Sequence, residues 1–199
     1  GFALAEGLVR QASHVKAVLT LPEEDGYALD LAVEAENLDP ARLVKRSLEG
    51  RVGCGLCGIA DIKDAISMPR GRRLDGRLSP QAVLKAYAEL PRYQPMNAVN
   101  RTVHAAAWCS VDGSILLTRE DVGRHNALDK IVGRALLEGL VPLDDTLLVV
   151  SGRSSYELVQ KALLAGVPLV AAVSAPSSLA VDLARESGIT LCGFVRGGS

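Results

Sequence analysis

The sequence predicts an α/β protein: a three-layer α/β/α sandwich with a mixed sheet, joined to a smaller N-terminal α+β subdomain. Three observations predict it. From Thr146 onward, short apolar runs alternate with segments of helical period. Those runs, Thr146–Ser151, Val167–Ser174 and Ile189–Val195, are apolar throughout, the pattern of parallel strands covered on both faces. Asp112-Gly113, between two strand-like runs, marks a tight hairpin that adds an antiparallel edge. The two subdomains are expected at residues 1–96 and 97–199.

Each element has a local reason. Phe2, Leu4, Ala5, Leu8 and Val9 follow a helical period, so a helix is expected within residues 1–14. Ala17–Leu21 and Tyr27–Val33 read as strands around a turn at Glu24–Gly26. Asp39-Pro40 opens a helix to about Leu48, because Asp caps and Pro fits the first turn. A glycine-dense stretch with Gly50, Gly53, Gly55 and Gly58 follows and brackets Cys54 and Cys57. A polar loop then carries Arg70, Arg72, Arg73 and Arg77. Ser79-Pro80 caps a helix to about Leu90, and residues 91–97, with Pro91 and Pro95, read as a linker. Val103–Val111 and Ser114–Thr118 form the hairpin, and a helix runs from about Gly123 to Gly139. Helices Ser154–Ala165 and Ser177–Ser187 cross between the later strands, stopped by Gly166 with Pro168 and by Gly188.

Composition narrows the function. The chain has 199 residues, 48% hydrophobic and 23% charged, enough apolar material for a sizeable core. A net charge of −1 supplies no global field toward nucleic acid or membrane, and no apolar run approaches the roughly 20 residues that span a bilayer. Of the 22 basic residues 16 are Arg, which suits planar, bidentate anion recognition. Four cysteines, only two of them close in sequence, argue against a secreted disulfide framework and for reduced, cytoplasmic thiols. Cys109 and Cys192 lie in apolar runs and read as small buried hydrophobes. No secretory signal is visible, and residue 1 is Gly rather than Met, so the natural N-terminus is expected upstream.

Open α/β sheets bind ligands beyond the carboxyl ends of their parallel strands. Those ends here are Ser151-Gly152-Arg153, Ser174-Ala175-Pro176 and Arg196-Gly197-Gly198. Serines at the following helix starts, Ser154, Ser155, Ser177 and Ser178, either cap the helices or leave their N–H groups to an anion. Arg153 and Arg196 add forked donors, so a phosphate- or diphosphate-bearing ligand is expected at this edge. The run from Glu120 to Lys130 is the densest polar stretch. In it Glu120 or Asp121 is expected to cap the helix, and His125 to pair with Asp129 at i,i+4, which would hold one imidazole tautomer. His104 reads equally as a core histidine or a site residue, and His14 as a surface residue.

Cys54-Gly55-Leu56-Cys57 is a CxxC, whose spacing permits half a zinc site, a dithiol/disulfide couple or a persulfide carrier. Zinc is disfavoured: the other cysteines form no second pair, and His104 is followed by Ala105 and Ala106 rather than by the H-x-E of zinc deaminases. A thioredoxin-type couple sits at a strand-to-helix junction, whereas a glycine-rich loop surrounds this pair. A mobile thiol suits sulfur carriage.

Gly53-Cys54-Gly55-Leu56-Cys57-Gly58, the run Glu120-Asp121-Val122-Gly123-Arg124-His125-Asn126-Ala127-Leu128-Asp129-Lys130, Ser151-Gly152-Arg153 with Glu157 and Lys161, Ser174-Ala175-Pro176 and Gly193-Phe194-Val195-Arg196-Gly197 occur in this order. The chain thereby resembles the formate dehydrogenase accessory sulfurtransferase family (FdhD). The resemblance implies a cytidine-deaminase-like α/β/α fold without the deaminase zinc. It implies a sulfurtransferase that accepts sulfur from a cysteine desulfurase as a persulfide, with Cys54 as carrier and Cys57 as its partner. The sulfur would pass to the bis-guanine-dinucleotide molybdenum cofactor, bound as a ligand, for activation of formate dehydrogenase. A cytoplasmic homodimeric chaperone with no structural metal is implied. Phe194, Val195, Arg196, Gly197, Gly198 and Ser199 resemble the cofactor-contacting segment. Ser151, Gly152, Arg153, Ser174, Ala175, Pro176, His104, Arg124 and His125 complete the expected cofactor site. The family pattern starts before Gly1 and continues past Ser199, so the cofactor-contacting end is expected to be cut short. Where the family often has Thr-Gly-Gly ahead of its strand histidine, this chain has Asn100-Arg101-Thr102-Val103-His104. The competing expectation is a non-catalytic nucleotide- or cofactor-binding chaperone whose cysteines are incidental.

Overall fold

The computed structural model describes residues 1–38, 71 and 78–196. The helix expected from Asp39, the loop with Cys54 and Cys57, Arg70, Arg72, Arg73 and Arg77, and the terminal Gly197, Gly198 and Ser199 lie outside the described residues.

The N-terminal helix is shorter than its periodicity suggests. Helix α1 covers only Phe2–Ala5. Gly7 then takes a left-handed φ of 72°, which turns the chain out of the helix. A single 3-10 turn at Ala12–His14 leads into strand β1 (Val15–Glu23), paired antiparallel with β2 (Gly26–Val33). The turn falls where expected, with Glu23 opposite Gly26. Val15, Leu31 and Val33 pack on the main core, while Leu29 and Tyr27 further out are 67% and 79% exposed.

Helix α2 (Pro80–Glu89) starts as its sequence directs: the Ser79 hydroxyl accepts from the Ala82 N–H at 3.2 Å, and Pro80 fills the first turn. Residues 91–97 are not a linker. A 3-10 turn at Leu90–Tyr93 and helix α3 (Pro95–Asn100) occupy them. Both prolines stand in first turns, where a missing N–H removes no helical hydrogen bond.

The remaining elements form the sheet and its crossovers. They are β3 (His104–Ser110), β4 (Ile115–Asp121), α4 (Arg124–Leu137), β5 (Thr146–Val150), α5 (Tyr156–Leu164), β6 (Leu169–Ala172), α6 (Ser178–Ser187) and β7 (Thr190–Cys192). Their order is β4-β3-β5-β6-β7. Strands β5, β6 and β7 are parallel, β3 joins β5 antiparallel, and β4 pairs antiparallel with β3, so the hairpin forms one edge, as the sequence predicts.

Alternate residues of β5 explain its unbroken apolar run. Leu148 and Val150 join a core with α4, α5 and α6, while Leu147 and Val149 join a second core with α2. The sheet is thus the middle of three layers. On α4, Leu128, Ile131, Val132 and Leu136 are buried, each worth about 2 kcal/mol of hydrophobic transfer.

Candidate functional site at the carboxyl edge of the sheet

Backbone hydrogen bonds stitch the strand ends into one edge. The Ser151 N–H donates to Ala105 O at 2.9 Å, and the Ala105 N–H donates to Ser151 Oγ at 2.8 Å, tying the end of β5 to the start of β3. The Ser177 N–H donates to Ser154 O at 2.9 Å and joins the loops after β5 and β6. The Val195 N–H donates to Ala172 O at 3.0 Å, and the Phe194 N–H to Ser174 O at 3.3 Å, joining the loops after β6 and β7. His104 lies opposite Asp121, whose strand leads directly into α4 and so brings Arg124 and His125 to the same edge.

Two adjoining regions result. At the end of β5, Gly152 is buried, and a Cβ there would lie 3.3 Å from His104 Nδ1 and 3.6 Å from Arg124 Cδ. The missing side chain is what lets the imidazole and the guanidinium stem close over the strand end. Arg124 and Arg153 both lie near enough to His125 to disfavour its cation. About two strand spacings away, roughly 10 Å, Ser174, Phe194 and Arg196 are exposed beyond β6 and β7, with Ala175, Pro176 and Val195 half-buried beside them. Phe194 adopts φ 56°, a left-handed conformation that costs a large side chain of order 1–3 kcal/mol and concentrates at ligand sites. Gly193 is close-packed, since a Cβ there would meet Pro176 Cδ at 2.7 Å.

The serines divide. Ser177 caps α6 by accepting from the Ala180 N–H at 3.3 Å. Ser155 occupies the cap position of α5 without a side-chain cap bond. Ser154 and Ser155 are both 0% exposed, and neither hydroxyl has a hydrogen-bond partner among the described residues. A buried unpaired hydroxyl costs about 1–3 kcal/mol.

The acidic residues work differently from expectation. Neither Glu120 nor Asp121 caps α4. The Glu120 carboxylate accepts from the Met96 and Asn97 N–H groups, both at 2.9 Å, and so caps α3. Asp121 accepts from the Gly123 N–H at 2.8 Å and pairs with Lys130 at 2.6 Å, bracing the turn ahead of α4. Asp129 does not pair with His125. It pairs with Lys161 of α5, while His125 Nδ1 lies 3.2 Å from Glu157 Oε2. The i,i+4 neighbour loses to a partner on the facing helix because buried Lys161, 2% exposed, draws the carboxylate.

Electrostatically the edge offers fixed guanidinium charge beside neutral imidazoles. Burial, then Arg124, lowers the His104 pKa. Burial, with Arg124, Lys161, Arg153 and His104, holds His125 down to about 3. Burial pushes Cys109 up to about 12 and also raises Cys192, so both thiols are poor nucleophiles and read as packing residues. Among the described residues no group of three His, Cys, Asp or Glu is placed to hold a metal ion.

One supporting residue gave no sequence signal. Tyr87 of α2 is buried, with its hydroxyl 2.8 Å from Val150 O and 2.7 Å from Ala171 O, so it ties the ends of β5 and β6 from beneath. Burial raises its pKa, so the phenol stays protonated and donates. Glu157 and Lys161 were visible as an acid four residues before a lysine, although their roles were not.

The chain matches known proteins along its full length. A family model described as the FdhD/NarQ family matches residues 1–199. The sulfur carrier protein FdhD of Variovorax paradoxus is 45% identical over 201 residues, covering 99% of this chain and 70% of that protein. Its counterpart in Chromobacterium violaceum is 42% identical over 206 residues, covering 98% and 73%. A solved chain from Desulfotalea psychrophila, described as a formate dehydrogenase accessory protein, superposes with a TM-score of 0.69 at 22% identity, covering 98% of this chain and 71% of that one. That likeness carries the fold.

Proposed function

Because the chain belongs to the FdhD/NarQ family, we propose that it is a sulfur carrier that takes sulfur onto Cys54 and delivers it to a nucleotide-bearing substrate at the sheet edge. The substrate on this reading is the bis-guanine-dinucleotide molybdenum cofactor destined for formate dehydrogenase, and the donor is a cysteine desulfurase. The name sulfur carrier protein belongs to relatives 45% and 42% identical to this chain, which supports the sulfur half. The observation that carries the ligand half is the packing of His104 and Arg124 over Gly152, with His125 within electrostatic reach of Arg124, Arg153 and His104.

The chemistry balances on the two thiols. The Cys54 thiolate attacks the terminal sulfur of the donor's persulfide; an S–S bond forms to Cys54 and the donor's thiolate leaves. Attack of the Cys57 thiolate on the Cys54 sulfur then forms a Cys54–Cys57 disulfide and expels HS⁻. The carried sulfur is reduced, both thiols are oxidised, and a cellular thiol reductant resets the pair. At the edge, Arg124, Arg153 and Arg196 suit diphosphate oxygens through forked donors. The missing side chain at Gly152 lets His104 and the Arg124 stem pack over the strand end, where they can face a ligand. The absence of a metal-holding cluster among the described residues places no demand on this scheme.

The deciding experiment separates the two halves. Isotope-labelled sulfur is offered through a cysteine desulfurase to the parent and to Cys54→Ala, and GDP binding is measured on both. The expected result is labelling of the parent alone, with equal GDP affinity. Labelling of Cys54→Ala at the parental level overturns the carrier assignment. GDP binding without labelling in either protein favours the escort reading with incidental cysteines.

A further inference from the structure

We propose that Arg101 is a further binding residue of the carboxyl edge, whose guanidinium takes diphosphate oxygens of the ligand at a cost in backbone strain. The ligand role rests on the reading of the edge given above; the strain itself does not.

Among the described residues two that are not glycine have a positive φ: Arg101 at 55° and Phe194 at 56°. Both stand at the same edge of the sheet. Phe194 follows β7, and Arg101 lies three residues ahead of His104, the first residue of β3. Strand β3 runs antiparallel to β5, so it begins where β5 ends; the Ser151 N–H donates to Ala105 O there. Three residues of chain span at most about 11 Å, so the Arg101 backbone stays within that distance of His104. Sparsely populated backbone conformations persist only where the surroundings over-determine them, and they concentrate at ligand sites. Strands β3 and β7 are three strand spacings apart, roughly 14 Å. A pair of strained residues so far apart suits an extended ligand better than a single small ion.

The chain around Arg101 is pinned on both sides. Helix α3 is fixed at its start by the Glu120 carboxylate, which accepts from the Met96 and Asn97 N–H groups. At its end the Arg101 N–H donates to Asn97 O at 3.0 Å, and the Thr102 N–H donates to Asn100 Oδ1 at 3.1 Å. Val103 is then drawn into the core ahead of His104. The left-handed turn between these anchors is one that glycine makes at no steric cost. Asn or Asp would offset part of that cost through a short polar side chain; arginine does not. The Arg101 side chain is exposed and forms no hydrogen bond or ion pair among the described residues. Its forked donors are therefore free for an anion, beside an edge that already holds Arg124 and Arg153. A basic residue near a helix C-terminus also complements the last carbonyls. Helix α3 has only six residues, however, and a basic residue inside its last turn would do this without a left-handed backbone.

The test separates backbone from charge on the full chain. Arg101→Gly removes both the strain and the guanidinium, whereas Arg101→Met removes the guanidinium and keeps the strain. GDP affinity is read by calorimetric titration and Tm by thermal unfolding. Arg101→Gly is expected to melt about 2–4 °C above the parent. It is expected to bind GDP about tenfold more weakly. Arg101→Met is expected to melt near the parental temperature and to bind GDP as weakly as Arg101→Gly. Parental GDP affinity in either variant overturns the binding role. An unchanged or lower Tm in Arg101→Gly overturns the strain. A parent that binds no GDP overturns the reading of the edge and the binding role with it, while the Tm comparison still decides the strain.

Discussion

At residue 152 the chain has no Cβ, and the consequence is measurable. An alanine there would press 3.3 Å from the His104 ring and 3.6 Å from Arg124 Cδ, tighter than ordinary contact on the imidazole side. Gly152→Ala is expected to cost about 1 kcal/mol of stability through mild overpacking. It is expected to weaken GDP binding more than it lowers Tm, read by calorimetric titration beside thermal unfolding. His125 supplies a pH signature at the same scale. Its folded pKa is lowered from 6.5 to about 3. Between those values the unfolded state binds a proton that the folded state does not. Stability therefore falls as pH drops through this window, by up to about 1.4 kcal/mol per pH unit, and is fully present above it. His125→Gln is expected to flatten this part of the urea-unfolding pH profile. The motif itself was legible, since Arg124 and His125 exceed what a helix start needs. The partner of His125 was not, because helical spacing nominates Asp129 and carries no information about the facing helix.

Between elements, polar side chains set how helices meet the sheet. Lys161 joins α5 to α4 through Asp129 and is 2% exposed. Lys161→Met leaves Asp129 and Glu157 buried without their cation and is expected to destabilise by about 3–5 kcal/mol, read by chemical denaturation. Tyr87 does a similar job beneath the sheet. Tyr87→Phe removes the hydroxyl between Val150 O and Ala171 O and is expected to cost about 1–3 kcal/mol with little change in fold. The crossover helices and parallel strands were readable because each strand is buried on both faces, which leaves a run rather than an alternation. Residues 91–97 were misread because proline both stops helices and starts them; only the observed first-turn positions of Pro91 and Pro95 decide between these. In α1 the periodicity continued past Gly7, where the backbone does not. The phenol of Tyr87 reaches carbonyls 63 and 84 residues away, so no local pattern announces it.

Across the molecule, packing is uneven. The three-layer core encloses β5 and β6 completely, while β1 and β2 form a separate two-stranded sheet with large apolar side chains exposed. A two-stranded sheet is marginal alone, so amides of β1 and β2 are expected to exchange with solvent well before those of β5 and β6. Comparable protection in both sheets would show that the hairpin is covered in solution. The α/β architecture and the gathering of His104, Arg124, His125, Ser151, Gly152 and Arg153 at one edge both follow from strand direction and connection. No helix among the described residues is long and apolar enough to cross a membrane. The same organisation leaves the thiols of Cys109 and Cys192 built into the sheet with raised pKa values. The proposed sulfur carriage rests on Cys54 and Cys57, and the most direct measurement is the intact mass of the full chain after incubation with cysteine and a cysteine desulfurase. The account expects the mass of a single added sulfur atom, removed by thiol reduction and absent from Cys54→Ala. An unchanged parental mass, or the same gain in Cys54→Ala, would contradict it.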